Sequence, residues 1–141
     1  MNNPVVFTVH VPAVPHPCLW PNRPYHHLTK HRHKQKIKQQ AHDAVTDDVL
    51  ALLDAMRMAD NRPIKRAGIY PYELAVEVIW PKGRRRTDLD GALSACKSLL
   101  DGIASRIGID DRYCVELRIR QRRAGKGEAS GVSVTYAVNA R

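Results

Sequence analysis

The segment with the clearest potential for chemistry is TDLDGALSACKSLLDGIASRIGIDD, at residues 87–111. Its ionisable residues include Asp88, Asp90, Lys97, Asp110 and Asp111. Mg²⁺ is a hard cation that proteins hold with carboxylates, water and phosphate oxygens. A bound metal can activate water for phosphodiester hydrolysis, and a nearby lysine can neutralise charge that develops on the phosphate. These residue types therefore favour Mg²⁺-dependent hydrolysis of a phosphodiester.

Apolar residues of this segment recur at three- and four-residue steps, which predicts a helix over residues 88–106. The predicted core stripe is Leu89, Ala92, Leu93, Cys96, Leu99, Leu100, Ile103 and Ile107. A polar ridge runs beside it, at steps of four, three and four residues: Asp90, Ser94, Lys97 and Asp101. Thr87 is expected to cap the helix, with Asp90 as its capping-box partner. The helix would be roughly 25 Å long, so the sequence leaves open whether Asp111 reaches Asp88 and Asp90.

Each of these features also has an explanation without chemistry. The helix macrodipole alone favours aspartates in a first turn. Lys97 and Asp101 have the spacing of a solvated ion pair, and Asp110-Asp111 can belong to a turn. The metal-site interpretation therefore depends on the charge of the rest of the chain.

The chain is strongly basic, because 23 Lys and Arg against 14 Asp and Glu give a net charge of +9 with histidine neutral. Such a field attracts polyanions, including nucleic acid, acidic membranes and acidic proteins. Aspartates beside arginines are an odd choice for binding phosphate unless a metal lies between them. The candidate phosphate contacts are Arg23, Arg32, Lys34, Arg84, Arg85, Arg86, Arg118 and Arg120, of which the last two should share the outward face of a strand.

Length and composition limit the class of protein. The 141 residues fit a single domain, 1–141. Three cysteines without a CxxC pair favour a reducing compartment, and neither a signal peptide nor an apolar run of membrane-spanning length is recognisable, so we expect a cytoplasmic protein. P-loop and GxGxxG motifs are absent, so no nucleotide cofactor is indicated.

Periodicity predicts the order β-α-β-α-β-β, a two-layer α/β (α+β) domain with two helices on a mixed four-stranded sheet. The first helix is expected over residues 34–59, after a Pro- and His-rich stretch at 12–33 that is expected to be irregular. Val115, Leu117 and Ile119 are expected to point inward. The predicted strands cover residues 5–11, 72–80, 114–121 and 132–138.

Histidines and basic residues interleave between residues 26 and 38. The histidines are His26, His27, His31 and His33, and the cations are Lys30, Arg32, Lys34, Lys36 and Lys38. An HxH pair with a distant Cys18 is not typical zinc-ligand spacing, so an arm that grips phosphate is the favoured interpretation, against a solvated helix start. Trp20 and Tyr25 are candidates for stacking on unpaired bases, whereas Trp80 is expected in the core.

Residues 84–111 resemble the core pattern of the RusA-type Holliday junction resolvases, which are common in phages and prophages. That pattern is a basic run, DxDN, a lysine and an aspartate on the following helix, a glycine and a terminal DD. The corresponding residues here are Arg84-Arg85-Arg86, Asp88-Leu-Asp90, Lys97, Asp101, Gly108 and Asp110-Asp111. The order of elements and the stretch Pro21-Asn22-Arg23-Pro24-Tyr25 also resemble the family, so the likeness spans most of the chain.

The resemblance implies an endodeoxyribonuclease that cuts branched DNA with Mg²⁺, or Mn²⁺ as a substitute. It implies metal-binding carboxylates at Asp88, Asp90 and Asp111, an essential lysine at Lys97, and a homodimer that nicks two opposing strands. Two departures stand out: Gly91 replaces the usual Asn, and the gap from Asp90 to Lys97 is about three residues longer, nearly one helical turn. The alternatives are a non-catalytic nucleic-acid-binding module with a structural acidic cluster, and a domain whose basic face meets an acidic protein.

Overall fold

A mixed four-stranded sheet forms one layer of the protein, and α-helices pack on one of its faces. The structure is a computed structural model that describes residues 3–21, 24–59, 70–84 and 87–139. The strands are β1 (Val5–Val11), β2 (Tyr72–Trp80), β3 (Cys114–Arg123) and β4 (Gly131–Val138), and the helices are α1 (His27–Ala44), α2 (Asp47–Ala59), α3 (Leu89–Ala95) and α4 (Lys97–Ile107). The strand order is β1-β4-β2-β3. Strand β4 is antiparallel to both neighbours, and β2 is parallel to β3. The predicted two-layer α/β fold with a mixed sheet is confirmed.

Alternation along β1, β2 and β4 gives the sheet one buried face and one open face. Strand pairs bring the buried residues together in register, as with Phe7 and Tyr136, whose rings stack 5.1 Å apart. Polar residues lie on the open face, where the hydroxyl groups of Thr8 and Thr135 are 2.9 Å apart. The predicted inward residues of these three strands are buried or half-buried; they are Val5, Phe7, Val9, Val11, Tyr72, Leu74, Val76, Val78, Trp80, Val132, Val134, Tyr136 and Val138.

Strand β3 departs from the prediction. Val115 is 65% exposed and Leu117 is 42% exposed, so neither is a core residue, whereas Ile119 packs partly against the core. β3 is one of two edge strands: the inward residues of the other, β1, are mostly buried under the described helices, whereas those helices leave the first half of β3 open.

Each of the two predicted helical segments is broken once. The first begins at His27, because His26 caps it by accepting the Leu28 amide, and it breaks between Ala44 and Asp47. The expectation of irregular chain through residue 33 was therefore wrong for residues 27–33. The second segment breaks at Cys96, whose amide is shared between two preceding carbonyls, and it ends at Gly108 with a φ of 73°.

Helices α1 and α4 cross in close contact. A Cβ on Gly102 would lie 2.2 Å from the carbonyl oxygen of Lys38, so only glycine permits this approach. Ala41, Leu99 and Ile103 surround the crossing as part of the core. Among the residues that the structure describes, no helix combines the length and apolarity needed to cross a membrane.

Candidate metal and nucleic-acid site

Two aspartates mark the start of α3. Asp88 is the N-cap, and its Oδ1 accepts the Gly91 amide at 2.7 Å. Asp90 lies in the first turn of the helix, and Asp88 and Asp90 are both exposed. The prediction that Thr87 caps the helix with Asp90 as its partner was wrong. The carbonyl of Thr87 instead accepts from Gln121 at 2.6 Å, which attaches the start of the helix to β3 and leaves the capping position to Asp88.

Gly91 makes this arrangement possible. A Cβ at this position would lie 2.3 Å from Oγ1 of Thr87 and 2.7 Å from Oδ1 of Asp88. The side chains of Thr87 and Asp88 therefore fold over the glycine and occupy the space that an asparagine would need. The local conformation of the helix start therefore leaves no room for a side chain at position 91.

A cleft of about 400 Å³ opens where α1 faces α3 and α4. Its polar lining is Lys34, Gln35, Lys38, Ser94, Lys97, Ser98 and Asp101. Asp90 lies one turn before Ser94 on the same helix face, with Cβ atoms roughly 6 Å apart. The predicted polar ridge is exposed along its length, whereas Leu89, predicted to join the core stripe, is 47% exposed. The fold therefore gathers Lys34, Lys38 and Lys97 around a cleft whose lining residue Ser94 lies one turn after Asp90.

The second pair of aspartates lies after α4. Asp110 is the N-cap of a short 3-10 turn, Asp111–Tyr113, and its carboxylate accepts from the backbone and the guanidinium of Arg112. These hydrogen bonds lower the pKa of Asp110 to about 2. Asp111 is exposed. Burial raises the pKa of Tyr72, and nearby negative groups that include Asp111 raise it further, so Asp111 is close to the start of β2.

Asp111 therefore lies far from Asp88 and Asp90 within one chain. Thr87 is bound to Gln121, which pairs with Val78 on β2, whereas Asp111 is near Tyr72, six residues earlier on that strand. At about 3.3 Å per residue, the two ends are roughly 20 Å apart. Among the described residues, these aspartates form no group of three metal-ligand candidates. One chain does not bring the three predicted metal ligands together.

Asp88 and Asp90 alone fit part of a magnesium site. Mg²⁺ is commonly held by one or two protein carboxylates, with water and substrate phosphate as the other ligands. Asp88 has one oxygen engaged by the Gly91 amide and a second oxygen left to coordinate, and Asp90 is exposed beside it. Asp111 would complete a three-carboxylate set only from another chain.

The candidate phosphate contacts lie on different surfaces. Arg32 and Lys34 are exposed on α1, and Arg84 is half-buried in a neighbouring cleft. Arg118 and Arg120 point outward, as predicted, but on the open sheet face, away from the helices. They pair there with glutamates at 3.1 and 3.3 Å. Arg23, Arg85 and Arg86 lie outside the described residues.

Sequence reasoning missed one cluster of metal-ligand types. Donor atoms of His16, Cys18 and His33 all lie within 4.8 Å of one another. His16 was not a predicted ligand, and His31 is not part of the cluster. The short His16-Pro17-Cys18 spacing was the signal that could have found it.

The predictions for the three aromatic residues have different outcomes. Trp80 is fully buried, as expected. Trp20 is also buried and packs edge-on against Trp80 at 5.8 Å, so the prediction that it stacks on DNA bases was wrong. Tyr25 is 43% exposed and remains a candidate for stacking.

Comparisons with known proteins add little to this geometry. No protein-family model and no curated protein sequence matches the chain. Among solved structures, the periplasmic domain of Helicobacter pylori MotB is similar at 10% identity, with a TM-score of 0.32, over 99% of this chain and 84% of that one. A similarity this weak supports no conclusion about function.

Proposed function

We propose that the protein is a Mg²⁺-dependent, structure-selective endodeoxyribonuclease that resolves four-way DNA junctions by paired nicks in the cytoplasm. The observation that carries this proposal is the pair of exposed aspartates at the start of α3, of which Asp90 lies one helical turn from a cleft lined by Lys34, Lys38 and Lys97. Carboxylates that hold a hard cation and lysines that attract phosphate both contribute to phosphodiester hydrolysis.

Each residue has a role in this proposal. Asp88 and Asp90 would hold Mg²⁺, or Mn²⁺ in its place, and the ion would polarise the phosphate and activate the attacking water. Lys97, the first residue of α4, would neutralise charge on the phosphate. Lys34 and Arg32 on α1 would bind the DNA backbone next to the cut.

Asp111 enters the proposal through a homodimer. Because roughly 20 Å separates it from Asp88 and Asp90 in one chain, it can join them only from a second copy. A two-fold axis would then create two identical sites, one for each of two opposing strands. The dimer is thus a requirement of the catalytic role that we propose for Asp111.

Mixing of variant subunits tests this arrangement. Asp90→Asn and Asp111→Asn should each be inactive alone. Random mixing should restore about a quarter of the wild-type sites, because half of the dimers are mixed and each has one intact site. Recovery of single nicks in the mixture would support a shared site. An inactive mixture whose mixed dimers are verified would contradict it, as would an active Asp111→Asn variant.

A non-catalytic DNA-binding module is the second candidate. It is favoured by the capping role of Asp88, which gives that carboxylate a structural function, and by the distance of Asp111. Cleavage of a labelled four-way junction, compared with a linear duplex of matched sequence, separates the two. Mg²⁺-dependent paired nicks confined to the junction are expected for the nuclease. Tight junction binding without cleavage under Mg²⁺ or Mn²⁺ is expected for the module.

A further inference from the structure

A second group of metal-ligand side chains lies apart from the aspartates. It joins the proline-rich loop after β1 to the first half of α1: His16 precedes a short 3-10 turn, Cys18 lies within that turn, and His33 lies on α1. Donor atoms of the three residues lie within 4.8 Å of one another. A tetrahedral Zn²⁺ ion with Zn–N distances of roughly 2.0–2.1 Å and a Zn–S distance of about 2.3 Å holds its donors roughly 3.3–3.6 Å apart, so these donors would have to close by at most about 1.5 Å.

The rings of His16 and His33 lie in contact beside the Cys18 backbone. Nδ1 of His16 accepts the Cys18 amide at 3.1 Å and therefore presents a lone pair that a metal can take over. The rings of His16 and His33 are stacked, with centroids 3.8 Å apart. Rotation about χ2 can bring their lone pairs together, because this torsion is broad in histidine.

The Cys18 thiol is buried near two lysines. Cys18 is 1% exposed, and the ammonium groups of Lys30 and Lys34 act on its thiol from nearby. The same lysines would repel a bare cation. A thiolate, however, cancels one of the two charges of a divalent ion, and coordination supplies the energy for its deprotonation.

We propose that His16, Cys18 and His33 form a site for a borderline divalent metal ion such as Zn²⁺, separate from the carboxylate site for Mg²⁺. Two imidazoles and a thiolate form a ligand set that suits zinc and not magnesium, which takes oxygen ligands. Three protein ligands leave the fourth tetrahedral position to water or an external ligand. A bound ion would attach the loop after β1 to α1, next to the cleft that contains Lys97.

Cobalt titration of the metal-free protein tests the site, because Co²⁺ bound to thiolate gives a near-ultraviolet charge-transfer band and tetrahedral Co²⁺ gives strong visible bands. We expect each chain to bind one Co²⁺ or Zn²⁺ ion. Zn²⁺ should displace the bound Co²⁺, whereas excess Mg²⁺ should not. His33→Gln, at a partly exposed helix position, should weaken binding at least about tenfold. Cys18→Ala should abolish the charge-transfer band. His31→Gln, on the same helix, and Cys114→Ala, at a half-buried thiol, should bind as wild type does.

Three results would overturn the proposal. One is a wild-type protein that binds neither ion. Another is Co²⁺ binding without the thiolate band. The third is equal binding by the site variants and the controls. Inorganic phosphate that binds without any metal would instead assign His16 and His33 to an anion site, because both also line a cleft with Lys36 and Arg84. Circular dichroism shows whether Cys18→Ala is folded. If Cys18→Ala does not fold, His33→Gln alone tests the site. No DNA is used, so the outcome is independent of the nuclease proposal.

Discussion

Gly91→Ala should destabilise the protein, although alanine usually stabilises a helix relative to glycine by about 1 kcal/mol. The new Cβ would lie 2.3 Å from Oγ1 of Thr87 and 2.7 Å from Oδ1 of Asp88. Movement of Asp88 would cost the helix cap, about 1 kcal/mol, and residual crowding would cost about 2 kcal/mol more. After the gain in propensity is subtracted, we expect a loss of about 2 kcal/mol, or about 6–8 °C in Tm for a chain of this size.

Urea denaturation provides the assay, and a lower midpoint at an unchanged m-value would report a loss of stability. Gly125→Ala is the matched control, because a Cβ there would meet only Oε1 of Glu128, at 3.8 Å, and its stability should change little. Thr87→Ala combined with Gly91→Ala should be less destabilised than the sum of the single changes, because one of the two collisions is removed. A Gly91→Ala protein as stable as wild type would refute the account of how Asp88 is held over Gly91.

Three further predictions concern a helix crossing, an ion pair and the lysine at the start of α4. Gly102→Ala should lower the unfolding free energy by about 1–3 kcal/mol in the same urea assay, because its Cβ would collide with the backbone carbonyl of Lys38; an unchanged midpoint would contradict the close crossing. Arg112 holds the pKa of Asp110 at about 2, below its ordinary value of 3.8. The ionised carboxyl therefore stabilises the fold above that ordinary value, and this stability is lost as the pH falls through about 2. NMR titration of the Asp110 carboxyl should show its pKa return toward the ordinary value in Arg112→Gln, and an unaltered titration would count against the pair. Lys97→Gln should reduce single-turnover cleavage of the junction by about 10²–10³-fold, while a binding titration shows a far smaller loss of junction affinity. Equal losses of cleavage and affinity would make Lys97 a binding residue only.

Hydrophobic periodicity was sufficient for most of the fold, because each face of a strand or helix has one environment along most of its length. It failed at β3, where the apolar alternation is present but the described helices leave Val115 and Leu117 uncovered. It also failed at the two helix breaks. The apolar pattern continues through residues 45–46 and through Cys96, so only the tertiary packing reveals that the backbone turns there.

The candidate site was predictable in its parts but not in its assembly. The ridge from Asp90 to Asp101 follows from helical spacing, and its residues are exposed as predicted. The distance to Asp111 depends on the path of α3 and α4 along the sheet, which local sequence does not encode. The approach of His16 to His33 depends on how the loop after β1 packs against α1, so spacing within the histidine-rich stretch could not reveal it.

The central claim is that Asp90 belongs to a catalytic metal site, and cleavage by Asp90→Asn tests it most directly. Wild type and variant would be compared on a labelled four-way junction with Mg²⁺ and with EDTA, alongside a binding titration. Asp48→Asn, also exposed and in the first turn of a helix, is the matched control. The account predicts that Asp90→Asn loses cleavage while its junction affinity is equal or higher, because a negative charge facing phosphate is removed, and that Asp48→Asn cleaves as wild type does. Full cleavage by Asp90→Asn, or loss of its DNA binding, would contradict the claim.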